Sequence, residues 1–195
     1  LTLEIEDLVE NTLSRKISKL SVTDLREKII NIKRVKNAVV KFSINGYIQV
    51  EVIERRGLAV YSEGKSYMVL DEEGIRISHY NEWRKVPNLP LVVGKGADGK
   101  LSDFIFMQGN LQSLVSEIEF YEWVGERRWN LHFKNKLIVK LPESNLGEGL
   151  NFLFALRERK FLNNYEVIMI DLRNLDKPFI KFRDDLTREK YSEVL

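Results

Sequence analysis

The spacing of apolar residues changes along the chain, and each change marks an element. The first 20 residues start acidic (Glu4, Glu6, Asp7, Glu10) and carry Leu3, Leu8, Val9 and Leu13. Read as a helix, that start complements the dipole. Ser21-Val22-Thr23-Asp24 reads as a capping box. It opens Leu25, Ile29 and Ile32 at helical spacing, through about Lys33. The period then falls to two. Val40, Phe42 and Ile44 alternate, Asn45-Gly46 follows, and Ile48, Val50 and Val52 alternate again. Asn-Gly between two alternating runs predicts a hairpin with a two-residue type I′ turn, which needs positive φ at both central residues.

Beyond Gly57 the chain reads mostly as strands. Leu58–Tyr61 and Ser66–Leu70 flank a turn at Glu63-Gly64, and Asp71-Glu72-Glu73-Gly74 turns the chain into Ile75–Ile77. Pro87-Asn88-Leu89-Pro90 predicts an extended loop. Gly94, Gly96 and Gly99 predict a flexible connection. Leu111, Leu114, Val115 and Ile118 predict a helix over Asn110–Tyr121. Trp129, Leu131 and Phe133 alternate up to Asn135-Lys136, and Leu137, Val139 and Leu141 alternate after it, a second hairpin whose residues belong in a core. A helix over Leu150–Leu162, a strand over Val167–Leu172 and a last strand over Phe179–Arg183 complete the pattern. The fold class is α+β. A small helix–helix–hairpin domain spans residues 1–57. A larger, mainly antiparallel β-domain with two helices spans 58–183, and a charged tail spans 184–195.

Composition narrows the chemistry. The 195 residues contain no cysteine, which excludes disulfides, Cys-based zinc or iron–sulfur sites and a cysteine nucleophile. The two histidines, His79 and His132, are far apart, and both read as surface residues. No cofactor or metal is expected. The charge-free stretch Phe104–Ser116 is too short and too polar to span a bilayer. Leu1 in place of Met is expected of a fragment. Net charge is +2, so any nucleic-acid site would have to be a local patch. Residues 15–41 hold nine basic side chains (Arg15, Lys16, Lys19, Arg26, Lys28, Lys33, Arg34, Lys36, Lys41) against Asp24 and Glu27, a local +7. No aromatic residue interleaves them to form a stacking platform. They read as a solvated helix face, or as a surface drawn to anionic lipid, with no nucleic-acid partner.

Catalytic patterns fail on context. Gly94-x-Gly96-x-x-Gly99 matches the dinucleotide fingerprint letter by letter. It follows a proline-rich loop, however, and Asp98, Lys100, Ser102 and Asp103 open no good helix, so it reads as a loop. Asp71/Glu72/Glu73 and Asp184/Asp185 sit in turn-like or terminal segments whose solvation leaves no raised acid, and Asp71-x-x-Gly74 reads as a turn former. No G-x-S-x-G elbow exists. What remains is a protein whose sheet edges and surfaces bind other proteins.

Taken in order, several segments resemble the FtsQ/DivIB family of bacterial cell-division proteins. They are Leu25-x-x-x-Ile29, Val35-Lys36-Asn37-Ala38-x-Val40, Ile48-x-Val50-x-Val52 with Glu54-Arg55, Ala59-Val60-Tyr61, and Tyr67-x-Val69-Leu70-Asp71-x-x-Gly74. Leu89–Gly94 is similar to the family's proline-rich loop, Arg128-Trp129-x-Leu131 and Val139-x-Leu141 to its central hairpin, and Ile170-Asp171-Leu172-Arg173 to its closing strand. The resemblance covers nearly the whole chain. It implies a POTRA domain over 1–57 and an FtsQ-type β-domain over 58–183. It also implies a single-pass anchor in the cell inner (cytoplasmic) membrane, through an N-terminal helix absent here, with this fragment on the periplasmic side. The family opens its POTRA domain with a V-x-V-x-G-N strand, whereas Leu1 stands at or just before the first helix, so that strand is expected to be missing. Lys177-Pro178 stands where the family often has a small residue.

By that resemblance the protein is a non-enzymatic divisome scaffold that holds FtsB- and FtsL-type partners and relays septal peptidoglycan synthesis, with no small-molecule substrate. The partner surface implied is the last strand: Phe179, Ile180, Lys181, Phe182 and Arg183. There, Phe179, Lys181 and Arg183 are expected to face one side, and Ile180 and Phe182 the other. Two alternatives remain at this point. One is an envelope hydrolase acting on peptidoglycan, suggested by the many carboxylates. The other is a POTRA-bearing secretion or assembly factor, which would show repeated POTRA units.

Overall fold

Helices α1 (Thr2–Leu13) and α2 (Val22–Ile30) precede an antiparallel hairpin of β1 (Val35–Phe42) and β2 (Ile48–Glu54). A computed structural model describes residues 1–13, 22–43, 45, 47–82, 85–163 and 166–183. Ser21, Ile44, Gly46, Arg15, Lys16, Lys19, Asp184, Asp185 and the 184–195 tail lie outside them. The helices close one face of the hairpin, because Ile5, Leu25, Ile29, Val35, Ala38 and Val40 form a core of their own. The alternation predicted for the hairpin is present, but its register differs. Phe42 pairs with Ile48, and the Ser43 N–H donates to the Tyr47 carbonyl at 2.8 Å. The turn is therefore centred on Asn45, not on the Asn45–Gly46 bond that a two-residue type I′ turn requires.

Among the described residues, the second unit is a nine-stranded sheet. Its strands are β3 (Ala59–Glu63), β4 (Ser66–Leu70), β5 (Arg76–Tyr80), β6 (Leu91–Val93), β7 (Ile118–Val124), β8 (Arg128–Phe133), β9 (Ile138–Lys140), β10 (Val167–Asp171) and β11 (Phe179–Phe182). They lie in the order β11-β10-β9-β8-β7-β6-β3-β4-β5. Pairs β3/β6, β6/β7 and β9/β10 are parallel and the rest antiparallel. Helices α3 (Leu101–Leu111) and α4 (Leu146–Glu158) belong to the crossovers that parallel neighbours require. Trp129, Leu131, Phe133, Leu137 and Val139 are all buried in the core beneath them, as their alternation predicts. The chain is thus α+β, with a mainly antiparallel large sheet.

Three expectations need correction. The helix expected over Asn110–Tyr121 is not there. α3 ends at Leu111, Gln112 turns to φ 36°, a 3-10 turn covers Gln112–Glu117, and β7 begins at Ile118. The glycine run is a strand-to-helix turn rather than a loose connection. It follows β6, and a 3-10 turn (Ala97–Lys100) leads directly into α3. Leu91–Val93 is accordingly a strand, inserted between β3 and β7. Finally, α4 begins before Leu150, at Leu146.

Candidate functional site at the β11 edge

Among the described residues, β11 closes the sheet on one side. Pro178 cannot donate to a ladder, which suits it to the position just before an edge strand. β11 pairs with β10 through Ile170↔Ile180 and Asp171↔Phe179, with a bulge in β10 between Val167 and Met169. Side chains alternate. Ile180 and Phe182 enter the core at 8% and 7% exposure, whereas Phe179, Lys181 and Arg183 are exposed. The Arg183 N–H donates to the Glu166 carbonyl at 2.7 Å, so by alternation Arg183, Lys181 and Phe179 turn their main chain to β10. Ile180 directs its N–H and C=O away from the sheet.

The edges of β1 and β5 are treated differently. On β1, the Arg26 Nε donates to the Ala38 carbonyl at 2.7 Å, and the Ala38 N–H donates to Asn37 Oδ1 at 2.9 Å. Side chains thus occupy that edge, as proteins commonly arrange to resist strand addition. β5 lies beside the first unit, where Ile77 shares a groove with Lys28, Asn31, Ile32, Lys33 and Arg34.

A cleft opens at the start of β11, lined by Arg127, Arg128, Glu143, Asp171, Arg173, Asn174, Lys177 and Phe179. Four cations face two acids, and both acids are engaged. Arg173 grips Asp171 through Nε (2.8 Å to Oδ1) and Nη2 (2.7 Å to Oδ2), and Arg127 Nε meets Glu143 at 3.0 Å. Burial opposes charge on Asp171, but the bonds from Arg173 outweigh it and hold the carboxyl below its ordinary range. The Arg128 Nε is buried without a hydrogen-bond partner among the described groups. The cleft is therefore net cationic and suited to a carboxylate on an incoming segment.

Next to it, on the sheet face away from the helices, Glu122 accepts from Asn130 Nδ2 at 3.0 Å and lies 2.7 Å from His132 Nε2. Phe120 stacks on the imidazole at 4.1 Å. His132 is thus a largely buried, paired residue (18% side-chain exposure) rather than a free surface histidine. His79 lies on β5, not in a turn, and is exposed with Nε2 2.7 Å from Ser66 Oγ.

Asp71 is the other departure. It forms a turn as expected, yet it is 2% exposed rather than solvated. Its Oδ1 accepts the Glu73 and Ile75 N–H groups and its Oδ2 accepts Arg55 Nη1. Several cations of the basic run are engaged as well: Arg26 on Ala38, Arg34 with Glu54, Lys36 with Glu72, and Lys41 with Glu51. Among the described residues no group of three or more His, Asp or Glu is placed to hold a metal ion, and no helix is long and apolar enough to cross a membrane. Sequence reasoning missed the cleft. Its members come from the β7–β8 turn and the start of β8, the segment between β9 and α4, the end of β10 and the stretch leading into β11, and only the spacing Asp171-x-Arg173 hinted at a local ion pair.

A family model described as "Cell division protein FtsQ/DivIB, C-terminal" matches residues 59–173. The chain is 29% identical over 171 residues to a protein named cell division protein FtsQ from Bradyrhizobium diazoefficiens, covering 88% of this chain and 50% of that one. It is 23% identical over 192 residues to the protein of that name from Rhizobium radiobacter, covering 98% and 91%. For the one from Rickettsia bellii the figures are 28% over 162 residues, 83% and 60%. The chain thus spans about half the length of its Bradyrhizobium relative. Among solved structures, the major extracytoplasmic domain of the trans isomer of DivIB from Geobacillus stearothermophilus aligns with 53% of this chain and 92% of its own, at 15% identity and a TM-score of 0.37.

Proposed function

The chain belongs to the FtsQ/DivIB family of cell division proteins, and we propose that it is a non-enzymatic divisome scaffold that takes an FtsB-type partner as an added strand on β11, with an FtsL-type protein in the same assembly. On this reading residues 1–57 are the POTRA domain and 58–183 the β-domain, held on the periplasmic side of the inner membrane by an anchor preceding this fragment. The observation that carries the reading is the β11 edge, which no described strand covers, beside the cationic cleft. Strand addition draws affinity from main-chain hydrogen bonds, which the outward N–H and C=O of Ile180 supply. Lys181, Arg183 and the cleft arginines favour an acidic segment.

The carboxylate runs support a hydrolase less well. Asp71, the buried acid of the Asp71–Glu73 run, already accepts hydrogen bonds from Arg55 and two backbone amides, which ties it into the fold rather than leaving it free for a substrate.

The test is binding of the purified chain to the extracytoplasmic part of an FtsB-type protein, with Ile180→Pro against Ile180→Ala. Both lose core packing, but only proline removes the outward donor. Proline should weaken binding at least about fivefold beyond alanine, near 1 kcal/mol. Equal affinities with both proteins folded would remove β11 as the docking edge.

A further inference from the structure

The two units meet at a joint that no catalytic or docking role has absorbed. We propose that Arg55 and Lys36 clamp the acidic turn Asp71–Glu73, so that the helix–hairpin unit and the nine-stranded sheet move as one body.

Arg55 belongs to the first unit by its main chain, since its N–H donates to the Arg34 carbonyl at 2.8 Å. It belongs to the second by its side chain, because Nη1 lies 2.6 Å from both Asp71 Oδ2 and Glu73 Oε2. Asp71 is fixed in turn by the Glu73 and Ile75 amides. Lys36 on β1 adds a second strut, with its Nζ on Glu72 and 3.6 Å from Glu73.

The connector has no slack. Leu58 is already tied to the sheet, its N–H donating to the Leu70 carbonyl at 2.7 Å. Gly57 is so enclosed that a Cβ there would stand 2.7 Å from Val69 Cγ1 and 2.9 Å from Leu89 Cδ1. Only Arg56 and Gly57 separate Arg55 from Leu58.

The two struts differ in kind. The Arg55 and Asp71 side chains are 15% and 3% exposed, so salt screens them little. Removing one partner would leave a buried charge uncompensated. The Lys36 and Glu72 side chains are 37% and 63% exposed and contribute as a surface pair does. Hydrogen bonds to Glu73 and Asp71 also raise the Arg55 pKa, and Arg55 in turn holds Glu73 low. The consequence for assembly rests on the scaffold reading above: a rigid joint fixes the angle at which the first unit presents the β11 edge.

The natural lack of cysteine makes a direct test simple. Spin labels at Lys41→Cys and Lys95→Cys, both exposed positions on opposite units, report the distance between units by pulsed electron resonance. The otherwise unchanged chain should give one narrow distribution at 0.15 M and at 1 M salt. Arg55→Ala should widen it at least twofold, and Arg55→Lys should fall between. A broad distribution in the unchanged chain, or an Arg55→Ala distribution as narrow as its parent, overturns the clamp. If Arg55→Ala loses its cooperative melt, Arg55→Gln, which keeps the aliphatic stem and removes the charge that holds Asp71, decides by the same twofold criterion.

Discussion

Gly94 lies so close to Trp123 that a Cβ on it would stand 2.2 Å from the Trp123 carbonyl oxygen. That contact accounts for the first glycine of the Gly94-x-Gly96-x-x-Gly99 run without any nucleotide. β6 and β7 are parallel neighbours, with Val93 paired to Glu122, and the chain must leave β6 against the next β7 residue.

The three glycines should therefore behave unequally. Gly94→Ala meets both backbone and a φ of +106°, and should lower stability by about 2–5 kcal/mol. Gly96→Ala, at φ +80° with nothing nearer than 4.0 Å, should cost about 1 kcal/mol. Gly99→Ala, in open space, should be close to neutral. Urea midpoints measure all three, and a uniform response would show that the run has some role other than packing.

Trp129 fills the centre of the sheet–helix core at 2% exposure, 5.0 Å from Trp123 by ring centroids. Trp129→Ala should cost about 3–5 kcal/mol, read as a shift in the denaturant midpoint with an unchanged slope. A midpoint shift near zero would mean that the residue is not in the core.

The hairpins were legible because period-two alternation has one structural meaning once a face is buried. The error at Asn110–Tyr121 has an equally definite cause. Leu111, Leu114, Val115 and Ile118 fall at helical intervals across a boundary: the first ends α3, the next two sit in a 3-10 turn, and Ile118 starts β7. The true helix signal, Leu101, Phe104, Met107 and Leu111, all buried, lay just after glycines that read as flexible. Asp98 gave no sign that it would pair with Arg76 across 22 residues. The candidate edge was legible from Pro178 and the alternation that follows it. The cleft beside it was not, since Arg127, Glu143 and Arg173 meet only through the β7-to-β11 topology.

Asp171 gives the account a pH dependence. Its carboxyl is held below its ordinary value of about 4 because the Arg173 bonds outweigh the opposing effect of burial. Its contribution to stability is therefore present above that value and lost as pH falls through the depressed one. Asp171→Asn should be less stable than the parent at neutral pH, and the gap should close below about pH 4. Thermal melts across pH 2–7 measure it, and a gap that stays constant down to pH 2 would contradict the pairing.

The claim that a partner strand adds to β11 is tested most directly by amide hydrogen exchange, with and without an FtsB-type extracytoplasmic segment. The N–H of Ile180 points away from β10 and those of Lys181 and Arg183 toward it. Binding should slow exchange at Ile180 at least tenfold, while Lys181, already within the ladder, changes less. Protection that leaves Ile180 unchanged while the partner is bound would contradict strand addition at this edge.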